Sequence, residues 1–170
     1  MTLTYRDALP SDASNILDYL NLAGQETANL SFGEEGIGIR IEDETTYLEK
    51  IQGDLNEFMI LALDQDQIIG IANVTRGKRL RTQHVATLGI SLLKSHWNQG
   101  IGNALMKQIM DRARVSPGLE IIRLDVRQDN QIAVRLYQKY GFEKIGCFNE
   151  EMKIDDVYVA IETMRCILNK

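Results

Sequence analysis

Apolar and polar residues alternate along "TLTYRDA" (2–8), the period of a half-buried strand. Over "PSDASNILDYLNLAGQ" (10–25) the apolar positions Ile16, Tyr19, Leu20 and Ala23 fall three and four apart, which predicts a helix capped by Ser11 or Asp12. An acidic, glycine-bearing stretch over 26–44 then leads to a short predicted helix, "TTYLEKIQG" (45–53). "EFMILALDQDQIIGIANVTRG" (57–77) predicts two strands joined by a polar turn at Asp64–Gln67, and "HVATLGISLL" (84–93) a third. A glycine turn and a helix to about Val115 follow, then the strand "LEIIRLDVR" (119–127). "NQIAVRLYQKYG" (130–141) predicts a helix closed by Gly141, and "VYVAIETMRCIL" (157–168) a final long strand. "EEMKIDDVYVAIETM" (150–164) suggests that the last two strands share an acidic connection. Strands and helices alternate only in part, so we expect a mixed sheet in one domain spanning 1–170.

Composition narrows the classes. The chain has 170 residues, with 19 basic and 24 acidic side chains and a net charge of −5, which argues against nucleic acid as a partner. No apolar run is long enough to span a membrane. The first residues carry charge by position six and show no signal-peptide core. Cys147 and Cys166 are too few for a disulfide framework and lack metal-ligand spacing. We expect a cytoplasmic protein.

The stretch "HWNQGIGNAL" (96–105) sets two glycines at a strand-to-helix turn, where free backbone N–H groups and the positive end of the helix dipole suit a phosphate. A tight packed turn is the plainer alternative. The run is not a Walker A loop, and "GIGNAL" has leucine where a dinucleotide fingerprint needs a third glycine. A second cluster, "GEEGIG" (33–38), carries two glutamates that would repel phosphate and reads as a flexible loop.

"WNQGIG" (97–102) matches the form [QR]-x-x-G-x-[GA] except at its first position, and Asn130, Ala133, Leu136, Tyr137, Gly141 and Phe142 match N-x-x-A-x-x-L-Y-x-x-x-G-F. Correctly ordered and separated by one strand, the two motifs resemble the GNAT superfamily of acyl-CoA-dependent N-acetyltransferases. The resemblance implies an α/β (α+β) fold with a mixed, mostly antiparallel, twisted central sheet, flanked by helices and splayed at the central strand. It also implies acetyl-CoA as cosubstrate, a primary amine as acceptor, and no metal; a homodimer is an open option.

By that resemblance, the backbone of Trp97, Asn98, Gln99, Gly100, Ile101, Gly102 and Asn103 cradles the pyrophosphate of coenzyme A, and Ile90, Ser91 and Leu92 line its pantetheine arm. Trp97 stands where the family has Gln or Arg; Lys94, Arg135 or Lys139 could replace the missing charge. Asn130 is a natural N-cap whose amide could also reach the cofactor. Tyr137 fits a core stripe with Ala133, Leu136 and Tyr140, and the resemblance implies that it is the general acid for the departing thiolate. Thr87 occupies the place where many relatives carry glutamate; it cannot act as an efficient base but can hold a water. His84 and His96 flank that strand, and Glu26, Glu34 and Glu35 lie in the loop that often borders the acceptor, so the base is unassigned and a small, cationic acceptor or a peptide terminus is expected. The basic run "RGKRLRTQH" (76–84) reads as a solvated hairpin tip, or as a contact for an acidic partner. A CoA-binding module without catalysis is the competing reading, with Thr87 as its best support.

Overall fold

Six consecutive buried side chains, Phe58 to Leu63, require a strand covered on both faces, and the computed structural model places them in the interior of one seven-stranded sheet. The structure describes residues 3–168; Thr2, expected in the first strand, and the outer ends of the 1–170 unit lie outside it. In chain order the elements are β1 (Leu3–Asp7), a 3-10 turn (Pro10–Asp12), α1 (Ala13–Glu26), α2 (Ile41–Ile51), β2 (Phe58–Asp64), β3 (Gln67–Arg76) and β4 (Val85–Leu92). A second 3-10 turn (Lys94–His96) leads to α3 (Ile101–Val115), β5 (Ile121–Arg127), α4 (Gln131–Lys139), β6 (Glu143–Ile154) and β7 (Val157–Ile167). The strand order is β1-β2-β3-β4-β5-β7-β6, antiparallel everywhere except the β4–β5 pair.

Register fixes which helix covers which face. Ile71 pairs with Ser91 and Gly70 with Leu92, so these pairs point to opposite sides. The Tyr19 hydroxyl of α1 donates to Ser91 Oγ at 2.9 Å, and Tyr47 of α2 approaches Thr75 on the same side. A Cβ on Gly70 would instead meet Leu105 of α3, which places α3 on the other side. The α3 stripe Ile101, Leu105, Met106, Ile109, Met110 and Ala113 is fully buried there.

Three local expectations change. Ser11 and Asp12 do not cap α1 through their side chains: the Asp12 carboxylate reaches back to Leu9 N (2.8 Å) and to Arg6, whose hydrogen bonds hold it below the usual carboxylate range. Helix α2 begins at Ile41 rather than Thr45, because Glu42, Asp43 and Glu44 favour the positive end of its dipole. The final hairpin is longer than "EEMKIDDVYVAIETM" suggested. Strand β6 starts at Glu143, and Asp155 and Asp156, both at positive φ (48° and 62°), form a two-residue turn whose hand suits the strand twist.

Among the described residues no helix is long and apolar enough to cross a membrane.

Candidate active site

The parallel pair β4–β5 is short. Val85, Ala86 and Thr87 face Ile121, Ile122 and Arg123, and past that point the strands part. Strand β5 stays attached to β7 as far as Arg127, so a wedge opens between Leu88–Leu92 and Leu124–Arg127. Both α3 and α4 start from this end of the sheet, because each follows the carboxyl end of one of the two parting strands.

The backbone of β4 presents alternate groups to the wedge. Leu93 N donates to Ile69 O (2.9 Å) and Gly77 N to Val85 O (3.0 Å), so the odd-numbered residues bond β3. The N–H and C=O of Ile90 and Leu92 therefore face the opening. Ser91 does not share that role: its backbone faces β3, and its hydroxyl takes the Tyr19 proton. Burial pushes the Tyr19 hydroxyl well above its ordinary value, so it remains a donor.

Trp97 ties the turn to the strand. Its indole Nε1 donates to Leu92 O at 2.8 Å, a structural use for the residue standing where the sequence motif has Gln or Arg. The backbone then turns through Asn98 (φ 60°) and Gly100 (φ 81°) with Asn98, Gln99 and Gly100 exposed, and the Gln99 amide bonds back to Ser95 O at 3.0 Å. Gly100 caps α3 without a side chain, so the N–H groups of Ile101, Gly102 and Asn103 have no partner within the helix. A Cβ built on Gly100 meets nothing within 4 Å, and one on Gly102 meets only Leu136 Cδ2 at 3.7 Å. The first turn of this 15-residue helix therefore has free N–H groups of the kind that can bind an anion.

Helix α4 is clamped to that turn. Lys139 Nζ donates to Asn103 Oδ1 (2.6 Å), and the Tyr140 hydroxyl donates to Asn103 O (2.9 Å). Of Lys94, Arg135 and Lys139, it is Lys139 whose contact brings a positive charge to the start of α3. Asn130 caps α4, its Oδ1 accepting from Ala133 N at 3.3 Å. Tyr137 is buried against Phe142, and its hydroxyl makes no hydrogen bond among the described residues. Burial pushes its pKa up to about 12.

The acceptor-side candidates scatter. Glu26, at the end of α1, accepts from Lys94 N at 2.7 Å and so braces the turn after β4. Residues 32–36 fold back along α1, where Gly33 O would lie 2.7 Å from a Cβ on Gly24. Glu34 and Glu35 are exposed there, and the Gly33 N–H lowers the Glu35 pKa. Thr87 stands at the apex of the wedge, and His84 lines a groove with it. His96 turns away, its Nδ1 within 2.9 Å of Ser95 Oγ and its Nε2 4.0 Å from Asp64.

One group escaped the sequence reading. Glu44 continues the buried α2 stripe of Leu48 and Ile51, and its Oε1 has no hydrogen-bond partner among the described residues. Starting the helix at Thr45 hid it. Desolvation raises the Glu44 pKa, so the folded state holds its proton above the pH at which the unfolded chain loses it. Stability from this group is therefore lost as pH rises through that window. Glu44→Gln is expected to raise the melting temperature at pH 7–8, by about 2–4 °C for each ~1 kcal/mol relieved. The difference should vanish near pH 3, where both side chains are neutral; thermal melts across pH test this.

Among the described residues no three His, Cys, Asp or Glu side chains gather to hold a metal ion.

A family model described as "Acetyltransferase (GNAT) family" matches residues 26–142. Over 89 residues the chain is 34% identical to the L-amino acid N-acetyltransferase AaaT of Escherichia coli, a match covering 52% of this chain and 54% of that protein. Over 81 residues it is 31% identical to the N-alpha-acetyltransferase RimI of Mycobacterium tuberculosis, covering 46% of this chain and 48% of that one. The chain thus spans about half the length of these curated relatives. The crystal structure of a GNAT-family acetyltransferase from Streptococcus pneumoniae superposes with a TM-score of 0.94 at 32% identity, covering 98% of this chain and 99% of that one. The yncA structure from Salmonella typhimurium, solved with its cofactor acetyl-CoA, shares the fold at a TM-score of 0.85 and 17% identity, covering 100% and 96% of the two chains.

Proposed function

We propose, because the chain belongs to the GNAT acetyltransferase family, that it moves the acetyl group of acetyl-CoA to a primary amine. The observation that carries this reading is the wedge between β4 and β5, opening beside the uncapped, glycine-headed start of α3. The N–H groups of Ile101, Gly102 and Asn103 would hold the pyrophosphate, with Lys139 adding positive charge. The Ile90 carbonyl and the N–H and C=O of Leu92 would pair with the pantetheine amides as strand pairs with strand. The Leu92 carbonyl has a second lone pair for this, since Trp97 uses only one.

Acetyl-CoA supplies an activated carbonyl. The acceptor must attack as a free amine, and an alkylamine with a pKa of ~10.4 is neutral in only about one molecule in 2,500 at pH 7. Attack forms the C–N bond and breaks the C–S bond; the amine's proton passes to solvent water, and the leaving sulfur takes a proton from its general acid, which solvent then reprotonates. The Ile90 N–H, aimed into the wedge, suits the developing negative charge on the carbonyl oxygen. Tyr137 suits the sulfur. Its hydroxyl keeps its proton to about pH 12 and is engaged by no described residue, so it is free to act as general acid.

Thr87 on the acceptor side can position a water but cannot itself take the proton, and no side chain is assigned as base. The acceptor is a small molecule, cationic or otherwise, or a peptide or protein N-terminus. Thr87 in place of a carboxylate favours a second reading, a module that holds CoA without turnover. Amine-dependent release of free thiol from acetyl-CoA, with the product identified by mass, separates them. Release with no amine dependence, or none across a broad amine panel, would favour the second.

A further inference from the structure

The basic 77–84 loop has no part in the reaction above, yet its shape is built rather than loose. Gly77 N donates to Val85 O, Thr82 N to Arg79 O (2.9 Å) and Val85 N to Thr82 O (3.0 Å). A Cβ on Gly77 would sit 2.5 Å from Thr82 O, so the loop closes this tightly only because position 77 is glycine. Beside it lies an open groove of about 510 Å³. Arg76, His84 and Arg123 line it together with Thr75, Thr82 and Thr87, and no acidic side chain does.

The charges there are poorly balanced. Arg76 has Asp54 at 3.6 Å, but the Arg123 side chain has neither an ion pair nor a hydrogen bond among the described residues. Lys78, Arg79 and Arg81 are exposed on the loop above. Of the nearby acids, Asp125 accepts from Thr163 Oγ1 (2.6 Å), Glu143 pairs with Arg165 (3.3 Å) and Glu57 pairs with Lys50 (3.0 Å), while Glu44, whose burial favours its neutral form, lies on the α2 side near Tyr47. On a chain of net charge −5 this is a local reversal of sign.

Its position is the informative part. Thr75 pairs with Thr87, and Thr87 with Arg123, so the three side chains share one face, which Tyr47 of α2 meets at Thr75 and α1 covers farther along at Ser91. Thr87 is also the apex of the wedge. Gly89 and Ile90 lie two and three residues farther along the strand, about 7–10 Å at ~3.3 Å per residue.

We propose that this groove is the acceptor's second subsite, taking a carboxylate or phosphate held about 7–10 Å from the reacting amine along the strand. The inference rests on the acetyltransferase reading and names its substrate class: a primary amine with a remote anion, not a second cation. The acid of a free α-amino acid, carried on the same carbon as its amine, is too close to use both places.

The test is equilibrium binding to the full chain with CoA present, measured by calorimetry. The probes are ε-aminocaproate, its neutral amide, hexamethylenediamine, and aminobutyl phosphate to distinguish the two anions. The acid or the phosphate should bind at least ~10-fold tighter than the amide or the diamine, with the preference shrinking at high salt. Arg123→Ala should remove that preference at an unchanged melting temperature, since Arg123 is exposed, and Arg123→Lys should keep part of it. Equal binding of all probes, tighter diamine, no binding of either anion, or an unaltered preference in Arg123→Ala would overturn the proposal. Failure of CoA itself to bind would instead count against the acetyltransferase reading.

Discussion

Gly102→Glu should leave the protein folded and cost it acetyl-CoA. A Cβ at position 102 meets only Leu136 Cδ2 at 3.7 Å, an ordinary contact, and the site lies in the first turn of α3, where a carboxylate favours the helix dipole. The melting temperature should therefore hold or rise slightly. The same carboxylate would occupy the N–H groups of Ile101, Gly102 and Asn103 and repel the pyrophosphate. Losing two charge-assisted hydrogen bonds at ~1.5–3 kcal/mol each predicts affinity lower by about 10²–10⁴-fold. Calorimetric titration of wild type and variant checks both halves. Retained affinity would mean that the phosphates do not sit at α3.

Tyr137→Phe should separate chemistry from binding. The hydroxyl contacts no described residue through a hydrogen bond, so its removal leaves no partner stranded, and the ring still packs on Phe142. Stability should be unchanged or slightly improved. If the hydroxyl donates to the leaving sulfur, kcat should fall by ~10²–10⁴ with little change in KM for acetyl-CoA. Because the proton is held to about pH 12, ionisation of Tyr137 should not shape the alkaline side of the wild-type rate profile below that value. A variant with wild-type kcat would return Tyr137 to a core role.

Local pattern carried the elements that local pattern controls. The four-residue recurrence of Ile101, Leu105, Ile109 and Ala113 is legible as a buried helix, and the Asn130 cap and Gly141 stop are legible as the bounds of α4. The glycine turn was legible as an uncapped helix start, because glycine at a strand-to-helix junction is a local signal. Helix α2 was cut short, since its first turn is stabilised by charge against the dipole and shows no apolar period; Glu44 was lost with it.

Long-range partners were out of reach. Nothing in the sequence tells that Glu26 will accept from Lys94 N, or that the Trp97 indole will bond Leu92 O. The basic loop read as a solvated tip because the groove beside it exists only once β4–β5 pairing brings Arg123 beside Thr87. The wedge itself follows from where that pairing stops, a matter of register rather than composition.

The most direct test of the account is the melting temperature of the chain with acetyl-CoA, CoA, NAD or ATP at equal concentration. A ligand present at 100 times its dissociation constant adds ~2.7 kcal/mol, several degrees for a protein of this size. Acetyl-CoA and CoA should each raise the midpoint while NAD and ATP do not, and Gly102→Glu should abolish the rise. No rise with either CoA species, or an equal rise with all four ligands, would contradict the assignment of the β4–β5 wedge and the α3 turn to an acyl-CoA.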